Sequence, residues 1–209
     1  MTDRAHPAPG RSAPAVGGRE LLGAVLRAAR HALRLLDSVA TALASVAGAV
    51  LLLASFFITV DVVGRRFFHV SSKATDEFGG YALLFGGMLA LAFALTTGAH
   101  VRIDVLMPHI PPWARAVLNY AALAALSVFA SIIAFYVWKL AIESYTMDAR
   151  AMSFLRTPLF VPQGTLAIGF SLLALHGAVI FLVGVLESIR QGRLAEFDTL
   201  QVADLTEGL

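Results

Sequence analysis

Four long stretches of the chain carry no Asp, Glu, Lys or Arg: 38–60, 78–99, 116–138 and 157–186. Within the last, 165–186 is the continuous apolar part. Each apolar run is about 22 residues, which is roughly 33 Å of helix at about 1.5 Å per residue. The hydrocarbon core of a bilayer is ~30 Å thick. Helices buried in a soluble protein would show polar faces, and these do not. The runs predict an all-α integral membrane protein with four transmembrane helices, at about 38–62, 77–98, 114–140 and 164–187. Composition agrees. The chain is 58% hydrophobic, against ~45–50% in soluble domains. Charged residues make up 14% and cluster between the runs.

The remaining composition excludes several functions. Net charge is only +2, with no dense Lys/Arg tract, so nucleic acid is not an expected partner. There is no cysteine, which excludes disulfides, thiolate metal sites and a cysteine nucleophile.

Ahead of the first run, residues 1–18 hold three prolines and three glycines and read as a disordered tail. The first apolar run is too long and too late for a signal peptide. Residues 19–37 are amphipathic. Leu22, Val25, Leu26, Ala29, Leu33 and Leu36 recur at helical spacing, and Arg27, Arg30, His31 and Arg34 form a basic stripe. This pattern predicts a separate N-terminal amphipathic interfacial helix, lying in the headgroup layer with its cations on anionic lipid. Residues 188–209 read as a polar cytoplasmic tail.

Small residues mark candidate packing faces. Ala40, Ala44 and Gly48 recur at steps of four in the first span. Gly79-Gly80 and Gly86-Gly87 recur seven apart in the second. Membrane helices pack closely where side chains are small. The rims hold the charge. Asp61 and Arg65 are one turn apart and can pair, and Arg65 is expected to balance Glu77 as well. Thr75-Asp76-Glu77 suits a helix N-terminus, with threonine as the cap and the acids facing the dipole. The third helical pattern extends to about Met147, and Pro158, Pro162 and Gly164 make a rigid lead into the fourth span. Lys and Arg number ten on the side of both termini and six on the other, which predicts cytoplasmic termini.

The central linker stands apart. Gly98, His100, Arg102 and Asp104 lie in GAHVRIDVLMPHIPP, at 98–112. Polar and apolar residues alternate there with a period of two, before a proline pair that no helix runs through.

Reactive chemistry is hard to place. His176 is the one histidine inside a span, so a bis-histidine haem lacks its second ligand. A lone intramembrane histidine reads first as a hydrogen-bonded packing residue. His100 and His109 near Asp104 are a weak metal pattern. No catalytic triad, phosphate-binding loop or HExxH occurs. The spans have no interior charge or proline, as a primary ion or solute path would. No enzyme activity, cofactor or metal is expected.

Four pieces of the sequence together resemble a family, the small membrane subunit of tripartite ATP-independent periplasmic (TRAP) transporters. They are VVGRRFF at 62–68, TDEFGGYALLF at 75–85, GAHVRIDVL at 98–106 with its proline pair, and TPLFVPQG at 157–164. The family often has a second glycine where Ala99 stands, and a tyrosine or tryptophan in place of Phe160. The resemblance implies a four-helix subunit of the bacterial cytoplasmic membrane. Its implied partners are a large multi-span permease, driven by a sodium or proton gradient, and a periplasmic solute-binding protein that captures an organic acid. It implies scaffolding and docking rather than catalysis, so Arg65, Asp76, Glu77, His100, Arg102 and Asp104 become structural and interface residues. Two other classes stay open: a membrane anchor of a redox complex, and a small stand-alone carrier or channel.

Overall fold

A computed structural model describes residues 16–69, 72, 74–97 and 111–191. These form four helices: α1 Val16–Phe68, α2 Thr75–Thr96, α3 Pro112–Thr146 and α4 Phe160–Gln191. All four are long and apolar enough to cross a membrane.

α1 corrects the sequence reading. No separate interfacial helix precedes the first span. One helix of 53 residues runs through both, about 80 Å long at 1.5 Å per residue. The reason is phase. Leu26, Leu33, Ala40, Ala47, Ala54 and Asp61 follow one another at steps of seven. Every one of them is buried or half-buried. The apolar face of the N-terminal segment therefore continues the inward face of the span, and no proline interrupts it. Leu26 and Ala29 are buried within the bundle, so the face that suggested a lipid surface is occupied by protein.

The helices form two hairpins, α1 with α2 and α3 with α4. α4 is the common element, packing on each of the other three. Leu95, Leu123, Ala130, Leu173 and Ala174 make the core, with Tyr120, Phe170 and Phe181 around it. Glycines of α4 permit the close contacts. A Cβ at Gly169 would lie 2.9 Å from the Met88 carbonyl oxygen of α2. One at Gly184 would lie 2.8 Å from the Tyr120 hydroxyl of α3, and one at Gly177 would meet the Ser127 Oγ.

Helix ends follow local chemistry. α3 begins at the second proline of its pair, where a missing N–H costs nothing. It ends at Thr146, with Met147 as the capping residue and Asp148 in the left-handed region at φ 46°. α4 begins at Phe160, earlier than the sequence suggested. Pro162 sits in its first turn, and Pro158 precedes it, bridged to Arg150.

Candidate assembly interface

At the rim where α1 meets α2, Asp61 is the organising group. It is buried. Its Oδ2 accepts from Arg65 Nη2 at 2.8 Å, and its Oδ1 accepts from the Ser72 backbone N–H at 2.6 Å. The Thr75 hydroxyl donates to the Ser72 carbonyl at 3.1 Å. Thr75 is therefore not the cap of α2. Ala74 precedes the helix, without a side-chain cap. Phe57 and Phe78 meet edge to face just inside, at 5.7 Å. One carboxylate thus pins the α1–α2 connection to the end of α1.

Glu77 turns elsewhere. Its Oε1 accepts from the Leu155 backbone N–H at 3.3 Å, joining α2 to the α3–α4 loop. Arg65 reaches Asp61. Asp76 is exposed in the first turn of α2, where the helix dipole favours an acid. The α3–α4 loop is itself ordered, with Ala151 N–H to Thr157 O and Leu159 N–H to Ala149 O, both at 2.9 Å. Met152 and Phe154 project from it, exposed. Charge reversal in Arg65→Glu would set a second carboxylate beside buried Asp61. We expect a lower yield of assembled complex on affinity purification. Unchanged yield and uptake would mean that Arg65 is merely solvated.

The small residues divide by face. Ala40 is buried, Ala44 half-buried and Gly48 exposed. Ala47, which the step of four passes over, is among the least exposed residues of α1. On α2 each glycine pair splits. A Cβ at Gly86 would fall 2.7 Å from Leu51 Cγ, and one at Gly79 would fall 3.3 Å from Ile58 Cδ1. Gly80 and Gly87 have nothing within 4 Å, and neither has Gly48. Gly98, His100, Arg102 and Asp104 lie outside the described residues.

The opposite end holds contacts that sequence reasoning missed. Arg30 of α1 donates to Glu187 of α4 at 2.9 Å, and Tyr120 of α3 meets Ser188 at 3.0 Å. Asp37 Oδ1 lies 2.9 Å from His176 Nε2. The clue was the placing of Asp37, Arg30 and Glu187 just beyond the apolar runs. Among the described residues, no group of three His, Asp or Glu side chains could hold a metal ion.

Four apolar helices, with charge paired at both ends and outward glycines, fit a subunit that packs against other membrane helices. A protein-family model matches residues 54–187: tripartite ATP-independent periplasmic transporters, DctQ component. It covers well over half of the chain. The chain belongs to the DctQ family. No curated protein and no solved structure matches it. Membership makes the chain the small membrane component of a TRAP transporter, a transport protein and not an enzyme. The DctQ match begins inside α1 at Ala54 and ends at Glu187. The first two-thirds of α1 thus precede it.

Proposed function

We propose that this chain scaffolds the large ion-coupled permease subunit of its transporter and helps a periplasmic receptor to dock for organic-acid uptake. It would do so in the bacterial cytoplasmic membrane. The observation that carries the scaffold reading is the pair Gly80 and Gly87. Glycine inside a helix costs about 0.8–1.0 kcal/mol against alanine. Gly79 and Gly86 offset that cost by admitting α1, but among the described residues nothing comes within 4 Å of a Cβ placed at Gly80 or Gly87. A helix of the large subunit packed there supplies the reason. Lipid is as apolar as a leucine side chain, so subunits in a membrane associate through close backbone approach and polar contacts. The double variant Gly80→Leu/Gly87→Leu should insert and fold, yet lose most of the large subunit on co-purification. Undiminished co-purification would refute this face as the contact.

The rim built from Asp61, Glu77 and the α3–α4 loop would then face the receptor, with both termini in the cytoplasm. Exposed Arg27 and His31 on α1 would lie at the level of anionic headgroups. The excess of Lys and Arg on the side of the termini supports this orientation, and the absence of cysteine makes it easy to test. Met152→Cys should react with an impermeant thiol reagent in spheroplasts, while Ser12→Cys and Thr199→Cys stay protected. The reverse pattern would invert the topology.

A further inference from the structure

α1 and α2 leave an open groove of about 420 Å³ between them. Val50, Ala54 and Phe57 of α1 line one wall, and Phe78, Tyr81 and Phe85 of α2 line the other. Its volume is in the range of small-molecule sites. Every lining side chain is apolar apart from the Tyr81 hydroxyl. Val50 to Phe57 and Phe78 to Phe85 are each a step of seven, about 10 Å at 1.5 Å per residue. One leaflet of the hydrocarbon core is about 15 Å deep. The groove therefore fits within a single leaflet, the one beside the α1–α2 connection.

The walls argue against another helix as the occupant. Close packing of membrane helices needs small side chains at the contact, and this groove is walled by Phe57, Phe78, Tyr81 and Phe85. α2 does carry small residues open to a neighbour, Gly80 and Gly87. The helical repeat sets those two on the far side of α2 from Phe78, Tyr81 and Phe85. A flexible hydrocarbon chain needs no row of small contacts and can follow the gap between aromatic side chains.

Beyond the groove stands a cation. Val50, Ala54, Phe57, Asp61 and Arg65 succeed one another at steps of three or four, so they share one face of α1. Long side chains on a helix lean back toward its N-terminus. Arg65 does so, and its Nη2 meets Asp61 Oδ2 at 2.8 Å. Asp61 is one turn beyond Phe57. It is buried, and the Ser72 N–H holds its other oxygen at 2.6 Å, so it fixes the guanidinium in place. The Arg65 side chain is still 54% exposed, and a guanidinium has more N–H donors than that one contact uses. A positioned cation thus stands at headgroup depth at the end of an apolar groove.

We infer that this groove is a binding site for a glycerophospholipid, with one acyl chain between α1 and α2 and the phosphate on Arg65. The two halves call for one amphiphile. The groove offers a headgroup nothing, and Arg65 offers a hydrocarbon chain nothing. Phosphate oxygens match the planar fork of arginine, which gives the contact direction as well as charge. Bound there, the lipid covers the open side of the α1–α2 hairpin. The site does not depend on the scaffold face at Gly80 and Gly87, and either can fail without the other.

The test is native mass spectrometry of the full chain, purified in detergent and titrated with phosphatidylglycerol. A single lipid should stay bound at collision energies that strip the rest. Diacylglycerol, with the chains but no phosphate, should bind about tenfold more weakly. Glycerol phosphate, with no chains, should not be retained. Ala54→Phe fills the groove and should remove the retained lipid. Arg65→Gln, whose amide can still donate to Asp61, should weaken binding about tenfold. Phe135→Ala, on the exposed face of α3, should leave it unchanged. If Ala54→Phe does not purify, Val50→Phe closes the deep end of the groove in its place. A parent chain that keeps no lipid would overturn the proposal. So would retention that ignores both the groove variant and Arg65→Gln, which would mean ordinary annular lipid. Efficient disulfide cross-linking of Leu53→Cys, in the α1 wall, to a cysteine of the large subunit would also overturn it, by putting a helix in the groove.

Discussion

Gly169→Ala should destabilise the bundle by about 1–3 kcal/mol, the usual cost of overpacking. Gly87→Ala should leave the isolated subunit unchanged or slightly more stable. The same substitution thus has opposite signs at two glycines of one bundle. At Gly169 the new methyl would lie 2.9 Å from the backbone carbonyl oxygen of Met88 and 2.9 Å from its Cβ. A backbone cannot swing aside as a side-chain tip can, so α2 and α4 must separate. α4 is the helix on which the other three pack, and separation there loosens the whole molecule. At Gly87 the methyl enters open space and removes the entropic cost of a helical glycine. Thermal midpoints of the purified subunit in detergent would measure both. Equal midpoints for Gly169→Ala and the parent would mean that the α2–α4 contact is looser than the geometry shows. If the large subunit packs on this face as proposed, the order changes in the assembled transporter, where Gly87→Ala should carry the cost of crowding the partner helix.

The four helices were legible because a bilayer allows few alternatives. A spanning segment must satisfy its backbone internally, and it needs about 20 apolar residues. The Asp61–Arg65 contact was legible because a helix fixes its own i,i+4 neighbours. What failed required knowledge of a distant partner. Arg30 read as one cation of a stripe facing lipid headgroups, and Asp37 marked only the edge of the first apolar run. Their partners, His176 and Glu187, lie on α4, more than a hundred residues along the chain. The basic stripe was read against the wrong neighbour for the same reason. Leu26 and Ala29 pack inside, so the centre of that apolar face meets protein and not lipid. Glycine pairs posed a different problem. Gly79 and Gly80 have the same spacing to Gly86 and Gly87, and periodicity alone does not say which row faces α1. The close-packing glycines of α4 went unnoticed because they sit inside a run read only for its hydropathy.

Liposomes holding this chain alone should accumulate no solute under an imposed sodium or proton gradient. Adding the large subunit and the receptor should bring uptake from background to its full rate. This is the largest effect expected of the chain, and the polar groups inside the bundle are what put it at risk. An ionisable side chain inside a membrane span is a functional-site candidate by default, and His176, with Asp37 beside it at the end of α1's apolar run, is one. Here they face each other across a helix seam. The neighbouring hydroxyls already have partners: Ser127 donates to Leu123 O, Ser131 to Ser127 O and Ser171 to Ala167 O, at 2.7–2.8 Å, and Ser171 also accepts from Trp138 Nε1 of α3 at 3.0 Å. A pathway needs polar groups that exchange partners with a passing ion or solute. Groups already satisfied within the bundle offer none without losing a bond. The outward faces of α1 and α3 carry large apolar side chains such as Leu52, Phe56, Phe129 and Phe135, which suit lipid or another helix, and the exposed Thr41, Ser45 and Thr59 hydroxyls of α1 each donate to a carbonyl of their own helix. A pH-sensitive dye inside the vesicles would test the remaining route, a proton leak past Asp37 and His176 at the α1–α4 seam, and it should read the same with and without protein. Gradient-driven accumulation by the chain alone would sink the scaffold reading and make Asp37 and His176 the first residues to replace.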